Sequence, residues 1–127
     1  MSRRASKQLA YAARFEHPTF LYGTKLEVAA AHLEIERAAG SRVELLDQRT
    51  IMDATLLEQK LAKANKLHIA IDWIVTPEIV ETFRRAFTVR GSRRFFAVLS
   101  SCVTLPSDLG VDLRDVFSIL IAWDEVL

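Results

Sequence analysis

Leu67-His-Ile-Ala-Ile-Asp-Trp-Ile-Val75, then Thr76-Pro-Glu-Ile-Val-Glu-Thr-Phe-Arg-Arg-Ala-Phe-Thr88, Val89-Arg-Gly-Ser92 and Arg93-Arg-Phe-Phe-Ala-Val-Leu99, decide how this chain folds. In the first segment Leu67, Ile69, Ile71, Trp73 and Val75 alternate with His68, Ala70, Asp72 and Ile74, the period of a strand with one face in a core. Thr76-Pro77-Glu78 has the chemistry of a helix start: the threonine hydroxyl accepts from a first-turn amide, and proline fixes φ where no amide partner is needed. Ile79, Val80, Phe83, Ala86 and Phe87 recur at helical spacing, so one stripe is apolar and packs on a sheet, with the helix ending near Thr88. Gly91 and Ser92 make a turn, and Phe95 to Leu99 is a second strand. Strand, helix and strand close most simply by a right-handed crossover with the strands parallel.

Working outward, Thr19 to Tyr22 is a short strand after Pro18, and Gly23 turns the chain. Thr24-Lys-Leu-Glu27 has the form of a capping box, which predicts a helix from Lys25 to Ala39 stopped by Gly40. At 100° per residue that helix has two apolar faces. Leu26, Ala29, Ala30 and Leu33 form one; Val28, Ala31, Ile35 and Ala39 form the other. It therefore needs cover from the sheet and from either the amino-terminal segment or a second copy, which makes Val28, Ala31 and Ile35 the expected self-association residues.

Val43 to Leu46 is a further short strand. Asp53 opens a helix with Ala54, Leu57, Leu61 and Ala64 as its seam and Asn65 as its end. Leu105 to Gly110 is a loop. In Val111 to Leu127, Leu113, Val116, Phe117, Leu120 and Leu127 suit a helix capped by Asp112; the alternative is a strand, since Val116 to Ala122 is rich in β-formers. Residues 1–16 read as a basic segment, helical or mobile, ahead of a single domain over residues 17–127. The expected fold is α/β, a roughly four-stranded mixed or parallel sheet with helices on both faces. A ferredoxin-like α+β arrangement is the alternative, if the Val43 to Leu46 strand pairs antiparallel.

A chain of 127 residues, half of them apolar, is long enough for one core. The net charge of +1 argues against whole-molecule attraction to nucleic acid or anionic membrane, yet the layout is uneven. Arg3, Arg4, Lys7 and Arg14 open the chain without an acid, whereas five acids against Arg114 alone occupy Asp108 to Leu127. The single cysteine, Cys102, excludes an intramolecular disulfide and fits a reducing compartment, so a cytoplasmic location is expected. The longest uncharged run, Phe95 to Ser107, is too short and polar to span a bilayer, and no membrane association is expected. GxGxxG, P-loop and GxSxG motifs are absent, and no cofactor is implied.

Among chemical constellations, Arg84, Arg85, Arg90, Arg93 and Arg94 fall within eleven residues that hold no acid, an arrangement able to contact phosphates or nucleic acid. Against it, Glu81 and Arg85 form a favoured helical pair, arginines suit a helix carboxyl end, and Phe83 and Phe87 lie on the core stripe. His68 and Asp72 share a strand face ~13 Å apart, too far for a direct hydrogen bond but able to line a pocket at a strand's carboxyl end together with Ser100. Read as structure, they are solvated residues of a partly covered strand. Cys102 has no base nearby in sequence and reads as inert. His17, His32 and His68 lack metal-ligand spacing, so no metal is expected. Three classes follow: a non-catalytic interaction or regulatory module that self-associates as a homo-oligomer or takes a protein partner; a nucleic-acid or phosphate binder through the arginines; and a small enzyme with a pocket near His68 and Asp72.

Overall fold

A computed structural model of the chain describes residues 1–46, 54–71, 75–90, 95–109 and 113–124. The element order is α1 (Arg3–Arg14), β1 (Thr19–Tyr22), α2 (Val28–Ala39), β2 (Glu44–Leu46), α3 (Ala54–Lys63), β3 (Lys66–Ile71), α4 (Pro77–Arg90), β4 (Phe96–Ser101) and β5 (Ile119–Ala122). Short 3₁₀ turns at Pro106–Asp108 and Leu113–Asp115 lie between β4 and β5. The sheet has five strands, in the order β2-β3-β4-β1-β5, and every pair is parallel. The fold is thus α/β as expected; among the described residues it has one strand more than expected and lacks the antiparallel pairing that a ferredoxin-like arrangement requires.

Side-chain alternation sorts the two layers. Leu67, Ile69, Ile71, Ala97, Leu99 and Phe20 face α3, α4 and the 3₁₀ turns; Leu21, Phe96, Val98 and Ile121 face α1 and α2. The connections after β2, β3 and β4 all run on the first face and advance toward β5, whereas α2 returns from β1 to the far edge on the second. This is the doubly wound plan that right-handed crossovers impose. Adjacent strands β1 and β4 thereby send their chains to opposite faces, which marks their carboxyl ends as the topological switch point.

Several local signals act as read. Ile79 N–H donates to Thr76 Oγ1 at 3.4 Å at the start of α4, and Gly40 ends α2 in the left-handed region at φ 69°. Two expectations are corrected. The Thr24 to Glu27 capping box does not form: residues 24–27 make a turn with Leu26 N–H on Gly23 O, and α2 starts at Val28 with no side-chain cap. The terminal segment forms strand β5, not a helix; Asp112 itself lies outside the described residues. Val116 and Phe117 are buried because the 3₁₀ turn at Leu113 aims them at the α4 layer, so the spacing read as helical belongs to a turn followed by a strand. Residues 1–16 are built into the domain: Ala5, Leu9 and Ala12 of α1 are buried against α2 and β5.

Candidate functional site

His68 sits mid-strand in β3, which lies between β2 and β4, so its side chain enters the layer beneath α2 and is fully buried. Its Nε2 lies 2.6 Å from Ser100 Oγ on β4, and its Nδ1 lies 3.1 Å from Nδ1 of His32 on α2, with the rings nearly parallel. One of the two Nδ1 atoms must carry the proton between them. His32 Nε2 is 3.5 Å from Glu36 Oε1, one helical turn on, and Glu36 Oε2 accepts from Val43 N–H at 2.9 Å. A polar chain thus runs Glu36, His32, His68, Ser100 from the rim of α2 to the middle of the sheet. Burial, and then the charge of His32, push His68 down to about 3, which keeps its imidazole neutral near pH 7.

The chain contains the partners of nucleophilic catalysis, but not their accessibility. Ser100 is buried within the α2 layer. The broad groove of about 1030 Å³ beneath the carboxyl end of α2 touches His32 and Glu36, with Ser41, Arg42, Glu44 and Lys66 around them, and stops short of His68 and Ser100. Sequence reasoning selected His68 and Ser100, weighed His32 only as a metal ligand, and missed its pairing with His68 and the role of Glu36. The signal was present, since residues four apart on a helix share a face, but the pairing of that face with β3 comes only from the crossover. Asp72 and Trp73 lie outside the described residues.

At the switch point a smaller hollow of about 230 Å³ is lined by Tyr22, Gly23, Thr24, Lys25, Leu105, Ala122 and Asp124. Gly23 is there for space: a Cβ on it would meet Trp123 Cβ at 2.9 Å. Three polar side chains near it, Ser101, Thr104 and Asp108, are engaged by the protein's own loops. Ser101 Oγ accepts from Val103 and Thr104 N–H, Thr104 Oγ1 accepts from Val75 N–H, and Asp108 Oδ2 accepts from Leu105 N–H.

Arg84 and Arg85 both turn to Glu81, at 3.1 and 3.8 Å. Arg90 closes α4, and its side chain, like Arg93 and Arg94, lies outside the described residues. Phe87 and Phe95 pack in a tilted pair, and Phe83 and Phe87 pack on Phe117 tilted and edge-on, in the core layer and not on a surface platform. Of the self-association residues, Ala31 and Ile35 are fully buried inside the protomer, so they present no surface; Val28 is 37% exposed. The outward face of α2 is the other one, with Leu33 56% exposed.

Exposed apolar side chains also occur singly at Leu45, Leu56, Val103 and Leu105, whereas two aromatic ones pair at α1. Tyr11 and Phe15 are each more than half exposed, with ring centroids 4.7 Å apart, and a shallow hollow of about 370 Å³ lined by Lys7, Gln8, Tyr11 and Ile119 joins Tyr11 to edge strand β5. Among the described residues no group of three metal-binding side chains occurs, and no helix is long and apolar enough to cross a membrane. Comparison with protein-family models, curated proteins and solved structures finds no match for this chain.

Proposed function

We propose that this chain is a non-catalytic interaction module. The observation that carries the reading is the exposed Tyr11–Phe15 pair on α1 beside an uncharged edge strand, Ile119-Leu-Ile-Ala122. Large exposed aromatics next to an open edge are a standing liability for a free domain and an asset for one that docks. Two further features support it: the polar chain from Glu36 through His32 and His68 ends in a sealed serine, and Ser101, Thr104 and Asp108 near the switch point hold loops. The docking surface is not Val28, Ala31 and Ile35, because Ala31 and Ile35 belong to the protomer's own core.

Residues kept for docking contribute little to folding. Tyr11→Ser and Phe15→Ser are expected to change unfolding free energy by no more than about 0.5 kcal/mol each, measured by urea denaturation. In parallel, a fluorophosphonate probe is expected to leave Ser100 of the native chain unlabelled by mass spectrometry. Selective labelling of Ser100 would overturn the non-catalytic reading, and strong destabilisation by the two serine substitutions would make the aromatics structural.

A further inference from the structure

The two edges of the sheet differ. At β2 the edge carries a charge, with Glu44 held 3.4 Å from Lys60. At β5 the edge residues Ile119, Leu120, Ile121 and Ala122 include no charge and no proline, the devices by which sheets block further pairing. Ile119 N–H and Trp123 N–H donate inward, to Pro18 O and Tyr22 O. By the alternation of a parallel strand, Leu120 and Ala122 then turn their N–H and C=O groups outward.

Alongside this edge runs the outward stripe of α1: Arg4, Lys7, Gln8, Tyr11, Arg14 and Phe15, at spacings of three and four. Helix α1 has four cations and no acid, and among the described residues none of those cations is paired with a carboxylate. Glu16 follows the helix, but one of its carboxylate oxygens is shielded from solvent. An apolar hollow, unspent backbone groups and unopposed positive charge therefore converge on one strip of surface.

We propose that this strip receives an extended acidic peptide segment of another protein, which adds a strand to β5, places an apolar side chain in the hollow between Tyr11 and Ile119, and sets its carboxylates against Lys7 and Arg4. The proposal rests on the interaction-module reading and names its partner. Backbone ladders supply affinity in strand addition, and alternate side chains supply selectivity. A nucleic acid fits worse, because it offers no matching row of amide and carbonyl groups to Leu120 and Ala122. A second copy also fits worse: antiparallel pairing across β5 brings two cationic α1 stripes to one face of the joined sheet, where like charges oppose it.

The test is selection of a displayed random dodecapeptide library on the full chain, followed by amide chemical-shift mapping with the synthetic winner. Enriched peptides are expected to be rich in Asp and Glu with alternating apolar residues, and to shift Leu120, Ala122 and α1. Their affinity should fall at least tenfold in Lys7→Glu/Tyr11→Ala, and at least tenfold on N-methylation of alternate peptide residues, which leaves the protein untouched. No enrichment, basic winners, indifference to N-methylation, dimerisation through β5, or single-stranded DNA binding to the same strip would each overturn the proposal. None of those results bears on Ser100 labelling, so the broader reading stands or falls separately.

Discussion

His68 shows how one residue is fixed by its surroundings. In the folded chain its imidazole has its pKa lowered to about 3, against 6.5 for the unfolded chain, so the unfolded state takes up the proton first as pH falls. Its share of stability is complete above about pH 6.5 and is lost progressively toward pH 3. Between pH 7 and pH 5 this single group is expected to cost about 2 kcal/mol. The check is urea denaturation at both pH values on the wild type and on His68→Gln, which keeps a neutral hydrogen-bonding side chain; the pH-dependent difference between them should match that loss. Sequence reading found His68 and Ser100 as candidates yet expected a pocket or a solvated face. Alternation along β3 shows which face His68 occupies, but only the return of α2 across the sheet shows that the face is closed.

At the scale of the element, β5 was the hardest to read and became the most informative. Leu113, Val116, Phe117 and Leu120 satisfy a helical stripe, and the same residues satisfy a buried turn followed by a strand. Periodicity cannot separate the two over so short a run; the vacant position beside β1 decides it. Phe117 anchors the outcome, packing on Phe20, Phe83 and Phe87 at centroid distances of 5.8, 5.6 and 6.0 Å. Phe117→Ala is expected to cost about 3–5 kcal/mol, read as a drop in denaturation midpoint with the loss of protection concentrated in β5. By contrast β3, α4 and β4 were legible in type and order, because proline, threonine and a clean change of period punctuate them, although α4 runs past Thr88 to Arg90 and β4 past Leu99 to Ser101. The start of α2 was not: Thr24 and Glu27 have the spacing of a capping box, but the tight approach of Gly23 to Trp123 sets the path of the chain there.

For the whole molecule, the two apolar faces of α2 posed a choice between a core and an interface. The answer is that Ala31 and Ile35 face inward and Leu33 outward. Ile35→Ala is therefore expected to lower stability by about 2–5 kcal/mol with no change of mass in light scattering, while Leu33→Glu stays within about 0.5 kcal/mol. The two ends of the sequence meet in space: the basic α1 packs along the uncharged β5, and Ser2 N–H donates to Trp123 O at 3.1 Å. That meeting of the two ends of the described chain creates the strip on which the functional proposal depends, and no local motif announces it. The most direct test is amide hydrogen exchange by NMR on the dilute, free chain. An open edge predicts that Leu120 and Ala122 exchange at least a hundredfold faster than Ile119, Ile121 and Trp123; equal protection across all five amides would mean that the edge is already covered, and would contradict the account.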